Sequence, residues 1–190
     1  MDLVFIDGIT FENKNFTEEF LDKGDYSDCN YYNCNFYECD LSNYNFTDCQ
    51  FIDCNLSMVN LFKTSFNSIL FLNSKLIGLH FEDCNQFTFD VRFENCNLNL
   101  SSFFKLKIKK TKFINSSLQD VEFNQTDLTS SQFENCNLLN SKFINSILEN
   151  VDFKTSYNFS IDLEMNKVKG AKFSIQNIIG LLDKYDIEII

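Results

Sequence analysis

The chain has no tryptophan, no proline, one histidine, one arginine and only 5 glycines in 190 residues. The first consequence is chemical. No P-loop, dinucleotide fingerprint, H-E-x-x-H or G-x-S-x-G is present, and His80 and Arg92 stand alone as members of their kind. The chain is therefore read as a non-enzyme, with no catalytic residues, no cofactor, no metal and no small-molecule substrate. It also lacks the run of roughly 18 apolar residues that a membrane helix needs, and the basic start and apolar stretch of a signal peptide. A soluble, cytoplasmic protein is expected. Positive charge is short as well: 16 basic against 27 acidic side chains give a net charge of -11 and a pI near 4.5. Approach to phosphate would be repulsive overall, which disfavours direct binding to nucleic acid or to an anionic membrane. What is plentiful is aromatic: 23 Phe and 7 Tyr within a hydrophobic fraction of 44%. That is enough apolar surface for a chain of this length to fold as one domain.

The apolar residues recur every fifth position. Counting from Ile6, the step meets Phe11, Phe16, Leu21, Tyr26, Tyr31, Phe36, Leu41, Phe46, Phe51, Leu56, Leu61, Phe66, Phe71, Leu76 and Phe81. At this composition one chosen frame would do so by chance roughly twice in a million. The frame slips by two residues near 86–92, and from Phe93 the same step runs through Leu98, Phe103, Ile108, Phe113 and onward to Phe153, then Leu163, Val168 and Phe173, with Asn158 failing beside Phe159. A helix would spread such a repeat over all its faces and a strand alternates by two, so a period of five means a solenoid.

Within each pentad the large apolar residue is position i. Position i-2 is small and faces inward with it, since residues two apart in an extended segment share a side. Position i-1 looks out and is often Asn or Asp, as at Asn35, Asp40, Asn55 and Asn97, where a short polar group can bond nearby backbone in a corner. All eight cysteines occupy the inward i-2 slot. They are expected to be buried reduced thiols acting as small hydrophobes, not disulfides or zinc ligands.

Segments such as FIDCNL at Phe51 and FENCNL at Phe93 and Phe133 resemble the pentapeptide-repeat family. The resemblance implies an all-β fold, a right-handed quadrilateral parallel β-helix with four pentads per coil, about 8 coils and a rod of about 40 Å. Residues 20 apart then become vertical neighbours. Glycine at i+2, frequent in the family, occurs only at Gly8, Gly78 and Gly170, so tighter or differently hydrogen-bonded turns are expected in places.

Stacking by 20 places Asp28 over Asp48 and Glu18 over Glu38 as acidic corners, and aligns Tyr32, Ile52 and Leu72 in an outward apolar column. These seven residues are the candidate partner-binding positions. The column is covered by Phe87 and Phe89 of the slip segment, is tolerated aromatic surface, or is a contact surface. Five lysines, Lys105, Lys107, Lys109, Lys110 and Lys112, crowd into eight residues beyond it, and Lys112 should stack near Arg92. His80 and Arg92 should lie on opposite faces.

The repeat accounts for residues 1–173. In 174–190 it gives way to Ile175, Ile178, Ile179 and Leu182 at helical spacing after a possible N-cap, Ser174, followed by a strand-like Ile187 to Ile190. A short C-terminal α-helix is expected to cap the last coil and to serve as a dimerisation module. This segment resembles the tail of the quinolone-resistance (Qnr) and microcin B17 immunity branch of the family. That branch implies a homodimer joined through Ile175, Ile178, Ile179 and Leu182. It also implies a DNA-mimicking rod that binds DNA gyrase or topoisomerase IV and protects it from quinolones or toxins, a form of antibiotic resistance. The other reading is a protein-interaction scaffold with an unknown partner. Long loops of the Qnr type are missing here.

Overall fold

A computed structural model describes residues 4–185, 187 and 188. The strands are β1 (Val4–Asp7), β2 (Thr10–Glu12), β3 (Gly24–Ser27), β4 (Asn30–Tyr32), β5 (Asn45–Thr47), β6 (Gln50–Ile52), β7 (Ser65–Asn67), β8 (Ile69–Leu72), β9 (Val91–Glu94), β10 (Lys112–Ile114) and β11 (Gln132–Glu134). They form two parallel sheets, β1-β3-β5-β7 and β2-β4-β6-β8-β9-β10-β11 in spatial order. Isolated parallel bridges, such as Asn35↔Asn55 and Asp40↔Asn60, continue the same ladders along the other two sides. The result is a four-faced solenoid whose second face alone steps through eight turns from Phe11 to Phe173, as expected.

The pentad explains this geometry residue by residue. Between neighbouring coils the backbone bonds in register, as in Phe36 N–H to the Asn55 carbonyl (2.7 Å) and Asn55 N–H to the Cys34 carbonyl (3.0 Å). At i-1 the Asn or Asp side chain accepts from the backbone N–H two residues on, as Asn35 does from Tyr37 (3.1 Å) and Asp40 from Ser42 (2.9 Å). The i+2 corner is turned by a left-handed residue. Where glycine is missing, ordinary residues take the same conformation, from Asn33 at φ 49° to Leu100 at φ 63°. The corners share this backbone conformation with those at Gly8, Gly78 and Gly170 but differ in bonding in places, as expected: Cys39 N–H closes the turn onto the Phe36 carbonyl (2.9 Å), whereas Cys54 N–H, after Phe51, bonds Ser74 Oγ in the next coil (3.0 Å). Asn and Asp tolerate this region best, and they fill most of these sites.

Inside, the second face carries one continuous stack of nine rings: Phe11, Tyr31, Phe51, Phe71, Phe93, Phe113, Phe133, Phe153 and Phe173, with successive centroids 4.6 to 5.4 Å apart. Phe81, Phe103, Phe123 and Phe143 stack on the fourth face and meet this column edge-on across the core. Stacked and edge-on geometries both suit the ring quadrupole and add about 0.5 to 1.5 kcal/mol per pair beyond burial. The small i-2 residues do more than leave room. Cys54 Sγ, Ser74 Oγ, Cys96 Sγ, Cys136 Sγ and Ser156 Oγ each donate to the carbonyl of the aromatic residue one coil earlier, at 2.8 to 3.3 Å.

The two extra residues of the slip are extruded. Pairing changes from 20 apart to 22 apart there (Phe71↔Phe93, His80↔Ser102) and returns to 20 afterwards. The surplus forms a single 3₁₀ turn, Gln86–Thr88, whose start is capped by the Asn85 side chain accepting from Phe87 N–H. The second irregularity corrects the sequence frame. Leu163 points outward at 40% exposure, and Phe159 and Ile161 are buried in its stead. The chain regains register at Lys167, which pairs with Ile147.

Tyr31 is fully buried in the nine-ring column, parallel to both Phe11 and Phe51, and its hydroxyl has no hydrogen-bond partner. Burial drives its ionisation far upward, with nearby Cys49 and Cys29 adding to the effect. An orphaned buried hydroxyl costs about 1 to 3 kcal/mol. Tyr31→Phe should therefore raise unfolding stability by about 1 kcal/mol in urea melts, with the fold unchanged. A loss of stability would show that the hydroxyl is satisfied.

Candidate partner-binding surfaces

Asp28 and Asp48 occupy successive left-handed corners, each with its N–H bonded to the coil above (Thr47 and Asn67 carbonyls, 3.0 and 2.9 Å), so these two carboxylates rise in one line. Glu38 holds the equivalent corner between the third and fourth faces, bonded to the Ser57 carbonyl at 3.1 Å. Glu18 does not join it in the ladder. Its N–H turns back to the Asn15 carbonyl (3.1 Å), and in the segment that follows Phe20 turns outward before Leu21 returns to the core. The departure opens a cleft of about 400 Å³ among Phe16, Phe20, Leu21, Tyr37, Glu38 and Asp40. Phe20 stands at its rim at 96% exposure.

Tyr32, Ile52 and Leu72 are in register on β4, β6 and β8, with Glu12 below and Glu94 above. Tyr32 is exposed, and Ile52 and Leu72 are half-buried. The slip segment does not cover this column: Phe87 is 100% exposed, and Phe89 packs edge-on against Phe81 at 5.9 Å. Lys112 stacks on Arg92 as expected. His80 and Arg92 lie on opposite faces, each tied to its own carboxylate, Glu82 (3.1 Å) and Glu94 (2.5 Å).

The C-terminal segment is a 3₁₀ helix, Ile175–Leu181, not an α-helix, and Ser174 makes no capping bond. The tighter winding rearranges the faces. Gly180 and Leu181 turn inward, while Ile175, Ile178 and Ile179 are exposed and Leu182 is half-buried. The close fit explains the winding: a Cβ at Gly180 would lie 1.9 Å from the Phe159 carbonyl oxygen, and Ile161 N–H bonds the Gly180 carbonyl at 2.9 Å. Lys184 clips the end of the cap to Asp162 (2.8 Å) and Glu164 (2.9 Å). Ile187 and Glu188 are not in a strand, and the rest of the expected 187–190 strand lies outside the described residues.

The cysteines lie in the inward slot as read, all buried except half-buried Cys39, and all with free thiols. Among the described residues no group of three or more His, Cys, Asp or Glu is placed to hold a metal, and no helix is long and apolar enough to cross a membrane.

A four-faced pentad solenoid with a capped end defines the class. Two models of pentapeptide repeats match residues 29–67 and 86–163, together more than half of the sequence, and the chain belongs to the pentapeptide-repeat family. No curated protein sequence matches it. Among solved structures it is similar to QnrB1, a plasmid-mediated fluoroquinolone resistance protein. One trypsin-treated QnrB1 variant aligns at 18% identity and TM-score 0.61 over 100% of both chains. The full-length form aligns at 15% identity and TM-score 0.62, over 97% of this chain and 100% of QnrB1. These likenesses establish the solenoid fold.

Burial holds several thiols protonated, raising Cys96 from 9.0 to about 11 and Cys49 and Cys136 to about 12. An acid whose ionisation is raised by folding favours the folded state below its unfolded value and loses that contribution as pH climbs to the folded value. Urea midpoints should therefore be level up to about pH 9 and fall between there and about pH 11 to 12. A midpoint that stays constant across this range would contradict burial of the thiols.

Proposed function

We propose that this protein is a non-catalytic rod that binds a type II topoisomerase, DNA gyrase or topoisomerase IV, in the place of a DNA segment, and so shields the enzyme from quinolones or toxins. The observation that supports the reading is the end-to-end correspondence with the QnrB1 solenoid on a chain of net charge -11. Two such rods joined at their capped ends would carry one net charge per about 4 Å, against one per about 1.7 Å in duplex DNA. The mimicry is partial, and Asp28, Asp48, Glu38 and Glu18 are the acidic positions that would serve it. The exposed Ile175, Ile178 and Ile179 suit the end-to-end contact. A second reading, a scaffold for an unrelated partner, is favoured by the lysine coil at Lys105–Lys112, which interrupts the acidic surface.

Purified protein titrated into gyrase supercoiling and ciprofloxacin-stabilised cleavage assays at two salt concentrations tests the reading. Inhibition of supercoiling or relief of cleavage at low micromolar protein, weakening with salt, is expected, and no effect at tens of micromolar would overturn it. The double variant Ile178→Asp, Ile179→Asp should remove end-to-end pairing in light scattering and lose at least about tenfold in potency in the same assays, since halving the rod halves the charge it presents. Full potency in a confirmed monomer would rule out the two-rod arrangement.

A further inference from the structure

On the first face, that of β1, β3, β5 and β7, the charges are sorted along the rod. The lower coils carry Asp7 and Asp25 on the strands and Asp28 and Asp48 at the corners that follow them. The upper coil carries Lys107, Lys109 and Lys110. These flank Ile108, which stands between the Phe103 and Phe113 columns and therefore on this same face. The other two lysines of the cluster belong elsewhere: Lys105 lies over the Phe104 ring at 4.6 Å, and Lys112 is in the Arg92 column of the second face. Between the acidic and basic stretches lies a neutral coil, Ser65 to Ser68.

This arrangement matches its own inverse. A half-turn about an axis lying in the face, across the rod at the Ser65–Ser68 coil, reverses the order of the coils and keeps each residue's lateral place in the pentad. Lys107, one residue before its inward neighbour, then meets Asp25, which holds the same slot. Lys110, two residues after, meets the Asp28 corner, which shares its slot, and Asp48 lies one coil away from that contact. A closed isologous pair needs a patch that complements itself in this way, with no like charges on the axis. The wholly exposed Phe87 stands one coil above the axis. The same operation carries it onto the lower coils of the partner, where a groove of about 390 Å³ is bordered by Phe5, Asn45, Thr47 and Asn67. Two carboxylates oppose the match: Asp90, bonded between Phe66 and Ile69, holds the corner that the half-turn sets against Asp48, and Asp127, bridged to Lys107 in the next coil, already pairs with Lys109 at 3.1 Å.

We propose that the first face is a self-association surface on which a second copy of this chain packs antiparallel, the lysine coil of each over the acidic half of the other and Phe87 of each in the groove of the other. The contact is distinct from the C-terminal one and does not depend on the topoisomerase reading. Exposed ion pairs are individually weak and screened by salt, so the pair forms at high protein concentration and low ionic strength.

Sedimentation equilibrium in the Ile178→Asp, Ile179→Asp background isolates this face. Mass approaching the dimer is expected at about 20 mM salt, with affinity falling roughly tenfold by about 300 mM. Lys107→Glu with Lys110→Glu, and separately Asp25→Lys with Asp28→Lys, should each give monomers, since a like-charged face then meets itself. Mixing the two reversed proteins should restore a dimer, because every contact is again of opposite sign; the restoration also shows that both variants are folded. Asp90→Asn should tighten the wild-type pair. A background protein that stays monomeric at low salt up to high micromolar concentration, or reversed variants that fail to pair on mixing, would overturn the proposal.

Discussion

Every inward side chain here is buried by the residue in the same slot of the next coil. No pentad has a second layer to pack against, so a phenylalanine is withdrawn from water only when another ring lies above or below it at about the van der Waals distance. That condition forces the vertical neighbours into register, and register in turn lines up the backbone donors and acceptors. The Ser, Thr and Cys donors at i-2 follow the same rule, because their acceptor is the carbonyl of the ring one coil earlier. Stability is distributed along the rod as a sum of neighbour contacts, which leaves the two ends as the exposed places. At the C-terminal end the 3₁₀ helix covers the last rung, and Gly180 is the point at which it can come close enough.

The period of five makes the inside and the outside of this molecule readable by counting residues alone. The frame assigns Phe20, Phe62 and Leu139 to outward slots despite their hydrophobicity, and they are exposed. The inward cysteines are legible for the same reason. What the count misses are the places where local geometry overrides it. Leu163 is outside because Asn158 takes a left-handed turn early (φ 59°) and lets Phe159 and Ile161 fill the core. The terminal isoleucines fit an α-helical pattern equally well, and only the space beneath Gly180 selects the tighter winding. Glu18 leaves its column because Asn15 offers its carbonyl to the following turn. Residue type alone carries no signal for these three.

The functional positions are legible only as surface. A solenoid converts sequence directly into columns, so the alignments of Asp28 with Asp48, of Tyr32 with Ile52 and Leu72, and of Arg92 with Lys112 follow from the spacing. Their meaning depends on what meets them. The described residues offer no enclosed polar cavity and no convergent set of titratable groups of the kind that supports chemistry; they offer long, flat, charged faces whose sign changes from one coil to the next. Recognition by such a body is electrostatic and extended, with few anchors, and its exposed aromatic residues Phe20 and Phe87 are the natural candidates for those.

The extruded turn at Gln86–Thr88 shows how this architecture tolerates change in length. Two extra residues are expelled at one corner and the ring column of the second face keeps its phase above it, from Phe93 to Phe173. An added or lost pentad could not be absorbed in that way. It would turn everything downstream by a quarter of a revolution, leaving the core ladders as well packed as before while moving the lysine coil off the face that carries the aspartates. Whole coils of four pentads are the unit in which such a rod can lengthen or shorten without scrambling its surface. Smaller steps would preserve the fold and rewrite what it can recognise.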